Sequence, residues 1–207
     1  MFNLKSCNYL IKLVFLFLFV LSLFLFLWFY RYRFISTIST DKIEGMYSKD
    51  LEGYSDRMFY FHSDTIKFYL KSKSTKNNIY IDQIIAPNQY KRIFKKSFGK
   101  IKQNLNLNQS EFGCNWNLSF SVPIDKSFDD GYYLVILEDD FNNEFKFPII
   151  INEKNIDSNI ALLAPTSTWT AYNAWGGKSL YRNIIDSLSV YFVSTQRPNT
   201  MLLGGKH

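Results

Sequence analysis

Between residues 54 and 152, apolar and polar side chains alternate with a period of two in a series of short segments. That pattern restricts this part of the chain to strands with one buried face. In "TIKFYLKS" (65–72), Ile66, Phe68 and Leu70 alternate with Thr65, Lys67, Tyr69 and Lys71. "NIYIDQII" (78–85) follows the polar turn "KSTKNN", "GYYLVILED" (131–139) follows "DDG", and "EFKFPIIIN" (144–152) follows "DDFNN". In "WNLSFSVP" (116–123), Trp116, Leu118, Phe120 and Val122 are expected to point inward, with a matching set on 131–138. Short strands bounded by Asn, Asp, Gly and Ser at this spacing predict an all-β, immunoglobulin-like antiparallel sandwich over 51–153. About 100 residues suffice for one such core. Pro148 donates no backbone hydrogen bond and suits an edge or bulge better than a central strand.

Upstream lies "LVFLFLFVLSLFLFLWFY" (13–30), with one Ser and no charge. As a helix it spans roughly 27 Å, close to the hydrocarbon thickness of a bilayer. Lys12 precedes it, and Trp28, Tyr30, Arg31 and Arg33 lie at its exit, where interfacial and snorkelling residues belong. A cleaved signal peptide is the alternative. Its apolar core is usually shorter and followed by small residues, whereas this exit reads "WFYRYRF". Residues 1–34 are therefore expected to form a transmembrane signal anchor and 35–50 a linker. The chain would cross the membrane once, with its folded part on the extracytoplasmic side.

The charge distribution agrees with that division. The chain carries 24 Lys and Arg against 18 Asp and Glu, and Lys5, Lys12, Arg31 and Arg33 meet no acid within the first 40 residues. Most of the excess thus flanks the apolar run, not the folded part, which argues against nucleic acid as a partner. "KRIFKKSFGKIK" (91–102) interleaves six basic residues with apolar ones. A membrane-surface or nucleic-acid patch is one reading; a solvated strand-and-loop face is the favoured one. Asn108 and Asn117 stand in N-x-S triplets, which matter only in a secretory pathway that glycosylates them. Cys7 and Cys114 are the two cysteines and His62 and His207 the two histidines, and there is no C-x-x-C. This set excludes a Cys/His zinc site. With no G-x-S-x-G, neither His62 nor His207 has a nucleophile elbow to serve.

After residue 153 the pattern changes. Ile160 to Leu163 is a continuous apolar run, as in a buried parallel strand, and "SVYFVS" (189–194) is a second candidate, with "SLYRNIIDSL" (179–188) a helical piece between them. Residues 154–207 are expected to be an incomplete α/β start of a second domain. Its open edges would invite self-association or a partner chain. Within it stands "TSTWTAYNAWGGKSLY" (166–181). In an α/β sheet, ligands bind beyond the strand ends. Trp169, Tyr172, Asn173, Trp175, Gly176 and Gly177 are therefore the candidate pocket-forming residues, and a tyrosinate is a suitable ligand for ferric iron. Otherwise the aromatics pack between domains and Gly176–Gly177 is a turn.

That motif, with "VSTQRPN" (193–199), resembles the start of the C-terminal domain of the N,N-dimethylformamidase large (beta) subunit family. "GYSDRMFYFHSDTIKFYLKS" (53–72), "NWNLSFSVP" (115–123) and "GYYLVILED" look like that family's upstream β-sandwich, so the resemblance covers about residues 50–205. It implies a glutamine-amidotransferase-like C-terminal domain and hydrolysis of a small amide at a mononuclear iron held by two tyrosines and a glutamate. By this resemblance Tyr172 is the candidate metal ligand. The glutamate and the second tyrosine would fall beyond His207, so no cofactor is expected for this chain alone and no residue is assigned a catalytic role. Three functions follow from these features: a membrane-anchored dimethylformamidase-like chain, inactive alone; a membrane-anchored β-sandwich binding module; or an amide hydrolase completed by a partner chain.

Overall fold

The computed structural model describes Lys12 and residues 14–29, 50–104, 108–153, 163–181 and 190–199. The chain separates into two compact units, Met1–Lys42 and Ile43–His207. In the first, residues 14–29 form helix α1. Leu and Phe dominate it and Val14 and Val20 are its only β-branched residues, so little opposes the helix. Its large apolar side chains are exposed all round, from Val14 at 52% to Phe29 at 60%. Among the described residues no helix is long and apolar enough to cross a membrane. Leu13 and Tyr30, the ends of the apolar run, and 35–49 of the linker lie outside the described residues.

Among its described residues the second unit contains eight strands: β1 (Leu51–Ser55), β2 (Phe59–Phe61), β3 (Thr65–Ser72), β4 (Asn77–Ala86), β5 (Gln89–Phe98), β6 (Phe120–Pro123), β7 (Gly131–Asp139) and β8 (Glu144–Asn152). They form a three-stranded sheet, β1-β3-β6, and a five-stranded sheet, β2-β8-β7-β4-β5. All pairings are antiparallel except β2 with β8. The inward side chains of both sheets meet in one core. Ile66, Phe68, Leu70 and Val122 come from the small sheet and Ile79, Ile81, Val135, Leu137, Phe147 and Ile149 from the large one. Phe68 and Phe147 touch across the gap at 6.3 Å between ring centroids. Fully burying such a side chain contributes about 1.5–3 kcal/mol. The period-2 face read from the sequence of β3 is therefore what joins the two layers.

Two details follow from backbone chemistry. The Ile150 N–H donates to Met58 O, on the β2 side of β8. Pro148, two residues earlier, aims its missing N–H the same way, but β2 pairs only with Ile150–Asn152. The proline therefore sits where β8 is an edge. β5, which carries the basic run, is the outer strand of its sheet, a place where lysines block further strand pairing. Its cations are used locally. Arg92 donates two bonds to the Asp82 carboxylate, at 2.8 and 2.9 Å, and lies over the Tyr80 ring; Lys96 lies over Phe120.

The structure corrects three expectations. Leu118 is 52% exposed, and only Phe120–Pro123 of the 116–123 segment is strand. Gln103 clamps the Asn117 backbone, donating to its carbonyl and accepting from its N–H, and the Ser119 hydroxyl accepts from the Leu70 N–H. These side chains replace the ladder, and the alternation breaks with it. Leu163, the described end of the predicted buried strand, is 91% exposed; residues 160–162 lie outside the described residues. Residues 190–194 are not a strand either. The Ser194 N–H donates to Ser110 O and the Cys114 N–H to Gln196 O. This segment thus bonds to residues 110 and 114, which lie between β5 and β6. Most of the 179–188 segment, from residue 182 on, is not described.

Candidate functional site

The motif folds as a short helix, α3 (Thr166–Tyr172), then a 3-10 turn, Trp175–Gly177. α3 begins after Pro165, which has no N–H to leave unpaired, and stops at Asn173, whose ψ of 111° is extended. Gly176 and Gly177 then take φ of 78° and 85°, a region that favours glycine. A Cβ on Gly176 would also collide with the Ser110 hydroxyl. That hydroxyl, on helix α2 (Gln109–Phe112), donates to Trp175 O at 3.1 Å. The Gly-Gly pair therefore lets the turn press against α2.

Three side chains hold this turn from below. Arg197 is 1% exposed. It donates to Ser194 O (3.1 Å), Trp175 O (2.9 Å), Lys178 O (2.9 Å), Asn173 O (2.8 Å) and Thr170 O (3.4 Å). Burial pulls its pKa down to about 10, which leaves it charged at neutral pH. Asn173, 2% exposed, donates to Pro198 O at 2.8 Å and accepts from the Trp175 N–H. Trp175 donates its indole N–H to Glu52 Oε2 at 2.9 Å and meets Trp116 edge to face at 6.2 Å. Glu52 is fully buried on β1 and also accepts from Lys71 at 2.9 Å. A buried carboxylate needs such partners to remain charged. Cys114 is buried beside this group, and burial pushes its thiol pKa well up.

The six motif residues therefore divide. Asn173, Trp175, Gly176 and Gly177 build the turn, and Trp169 is half-buried on α3. Tyr172 is 45% exposed and stacks on Tyr181 at 4.2 Å and 13°. A shallow, solvent-open cleft lies nearby. Tyr54, Met58, Phe147 and Pro148 line it with Thr195, Arg197 and Asn199, and none of the six does. Among the described residues no group of three His, Cys, Asp or Glu could hold a metal ion. The glutamates that touch the motif are engaged away from Tyr172, Glu52 by Lys71 and Trp175, and Glu111 by Lys178 at 3.0 Å. The residues described around Tyr172 thus do not assemble two tyrosines and a glutamate. His207 lies outside the described residues. His62 pairs with Asp130 at 2.8 Å.

Sequence reasoning missed Glu52, Ser110 and the role of Arg197. The arginine was visible in "STQRPN", but nothing in its neighbours says that it will be buried without a carboxylate. In comparison with known families, the model described as "N,N-dimethylformamidase beta subunit-like, C-terminal" matches residues 89–206. No curated protein matches. The matched span runs from β5 through Arg197 and includes the whole motif.

Proposed function

The chain belongs to the N,N-dimethylformamidase beta subunit-like family, and from that premise we propose that residues 166–181 are the site loop of an amide-hydrolase-type domain. The chain presents Tyr172 in that loop and does not hydrolyse amides by itself. One observation carries this reading. The buried polar groups of the motif are engaged in fixing its backbone, while Tyr172 is left open at 45% exposure. A tyrosine held at the end of α3 and left exposed is a group offered to something outside the loop. Iron chemistry, where the family uses it, would need further ligands. In this reading they come from a partner chain or a second copy, meeting the exposed side chains around Tyr172 and Tyr181. The two sheets are the immunoglobulin-like support for the loop.

We further read α1 as a membrane anchor with the folded part on the extracytoplasmic side. Its support is the uncharged helix of residues 14–29, apolar on every face, with Lys12 before it and Arg31 and Arg33 after it. Carbonate extraction should leave the full chain in the membrane pellet; release into the supernatant refutes the anchor. Loading the purified chain with ferric iron should give no tyrosinate-to-iron absorption band and no formamide hydrolysis. A band that disappears in Tyr172→Phe would show that the chain completes the site unaided.

A further inference from the structure

Arg197 has five N–H bonds, and each meets a backbone carbonyl. The bonds include no carboxylate and no side-chain acceptor. Four of the carbonyls, those of Thr170, Asn173, Trp175 and Lys178, belong to the motif. Carbonyls converging in this way form a cage for a cation, and here a side chain of the same molecule fills it. Every guanidinium donor is occupied. Arg197 therefore has no N–H to offer an anion, although it lines the cleft beside Tyr54. Its task lies in the loop itself.

We propose that Arg197 is the positioning residue for Tyr172. A single nitrogen, Nη2, takes the carbonyls of Thr170 and Asn173, which flank Tyr172 on either side in the chain. The helix end would otherwise leave those carbonyls without donors. Fixing both fixes the direction in which the Tyr172 side chain leaves the backbone, and with it the stack on Tyr181. Nη1 fastens the same device to the glycine turn through Trp175 O and Lys178 O. The planar five-donor fork is what the cage fits. A lysine carries the charge but only three donors on one atom. The inference rests on the proposed function for why Tyr172 needs placing; the cage itself rests on the hydrogen bonds alone.

The test uses the full chain in detergent micelles and reads no hydrolysis. Nitration of Tyr172 by tetranitromethane is measured by peptide mass spectrometry against Tyr191, which is 89% exposed and serves as the internal reference. Arg197→Ala should raise the Tyr172-to-Tyr191 ratio roughly threefold or more as the loop opens. Methylguanidinium, well below denaturing concentration, should restore the ratio by refilling the cage; ammonium at the same ionic strength should not. Arg197→Lys should lie between wild type and Arg197→Ala, and it tests the proposal even where Arg197→Ala fails to fold. A wild-type ratio in either variant, or equal rescue by ammonium, overturns it. Because no outcome depends on amide hydrolysis, the proposed function can fail without deciding this result.

Discussion

Gly176→Ala isolates the contact that seats the motif. Two costs act together. An alanine at φ 78° is in the left-handed region, at about 1–2 kcal/mol. Its Cβ also displaces the Ser110 hydroxyl, which is buried at 2% exposure and loses its bond to Trp175 O, a further cost of about 1–2 kcal/mol. The total is about 2–4 kcal/mol. It falls on the docking of the motif, because the cluster around Phe68 and Val135 does not include these residues. Native-state hydrogen exchange reads that distinction. The N–H groups of Asn173 and Gly177, bonded to Trp169 O and Ala174 O, should exchange on the order of 30- to 1,000-fold faster. The amides of β4 and β7 should keep their protection. In a Ser110→Gly background only the backbone cost remains, so the same substitution should cost about 1–2 kcal/mol. Equal cost in both backgrounds refutes the collision, and unchanged exchange refutes the left-handed turn.

The strand register predicts that Phe68→Asp, at a fully buried position, abolishes folding, whereas Leu118→Asp, at 52% exposure, shifts the urea midpoint by no more than about 0.5 kcal/mol in stability; loss of folding in Leu118→Asp would restore the inward reading. Burial pushes the Tyr133 phenol up to about 12 and raises Tyr54 and Tyr60 further. The folded chain therefore keeps protons that the unfolded chain releases near 10, and stability should fall as pH rises from about 10 to 12; urea titrations across that range should show the decline, and Tyr133→Phe should make it shallower without removing it, because Tyr54 and Tyr60 still contribute.

Much of the sandwich was legible because its signal is local. In β3 each residue's neighbours declare which face it takes; β7 and β8 have the bounds read from the sequence, although Tyr133–Leu137 of β7 is buried without interruption. β1, "LEGYS", carries no such signal: every residue is buried, including Glu52, so the period vanishes. β2 has three residues and exists because β8 has an edge to pair with. Leu118 misled because Ser119 and Gln103 substitute side-chain bonds for ladder bonds, and nothing in local periodicity records a partner 49 residues away. The motif was legible as unusual but not as a mechanism. Its carbonyl cage is closed by an arginine 16 residues past Tyr181, and its indole is held by a carboxylate 123 residues earlier than Trp175. Both are long-range facts.

The span that defines the family is not, on this geometry, a folding unit. The match begins at Gln89, the first residue of β5, and leaves β1–β4 outside. Yet β4 stands between β7 and β5 in the large sheet, and among the described residues β6 has β3 as its only strand neighbour. Without β4, β5 loses its partner and β7 gains an unpaired edge. Without β3, β6 has no sheet to join. The motif depends on the unmatched part as well, because Glu52 on β1 accepts the Trp175 indole and Lys71 on β3 neutralises it. Removing one partner from such a buried group leaves the other uncompensated, at about 3–5 kcal/mol for a charge pair. The sandwich is therefore part of the site's construction. Strands before the matched span hold the turn, the turn holds α3, and Arg197 closes the arrangement from the far end of the chain. Changes in β1 or β3 should reach Tyr172 through Trp175 even though neither strand belongs to the matched span.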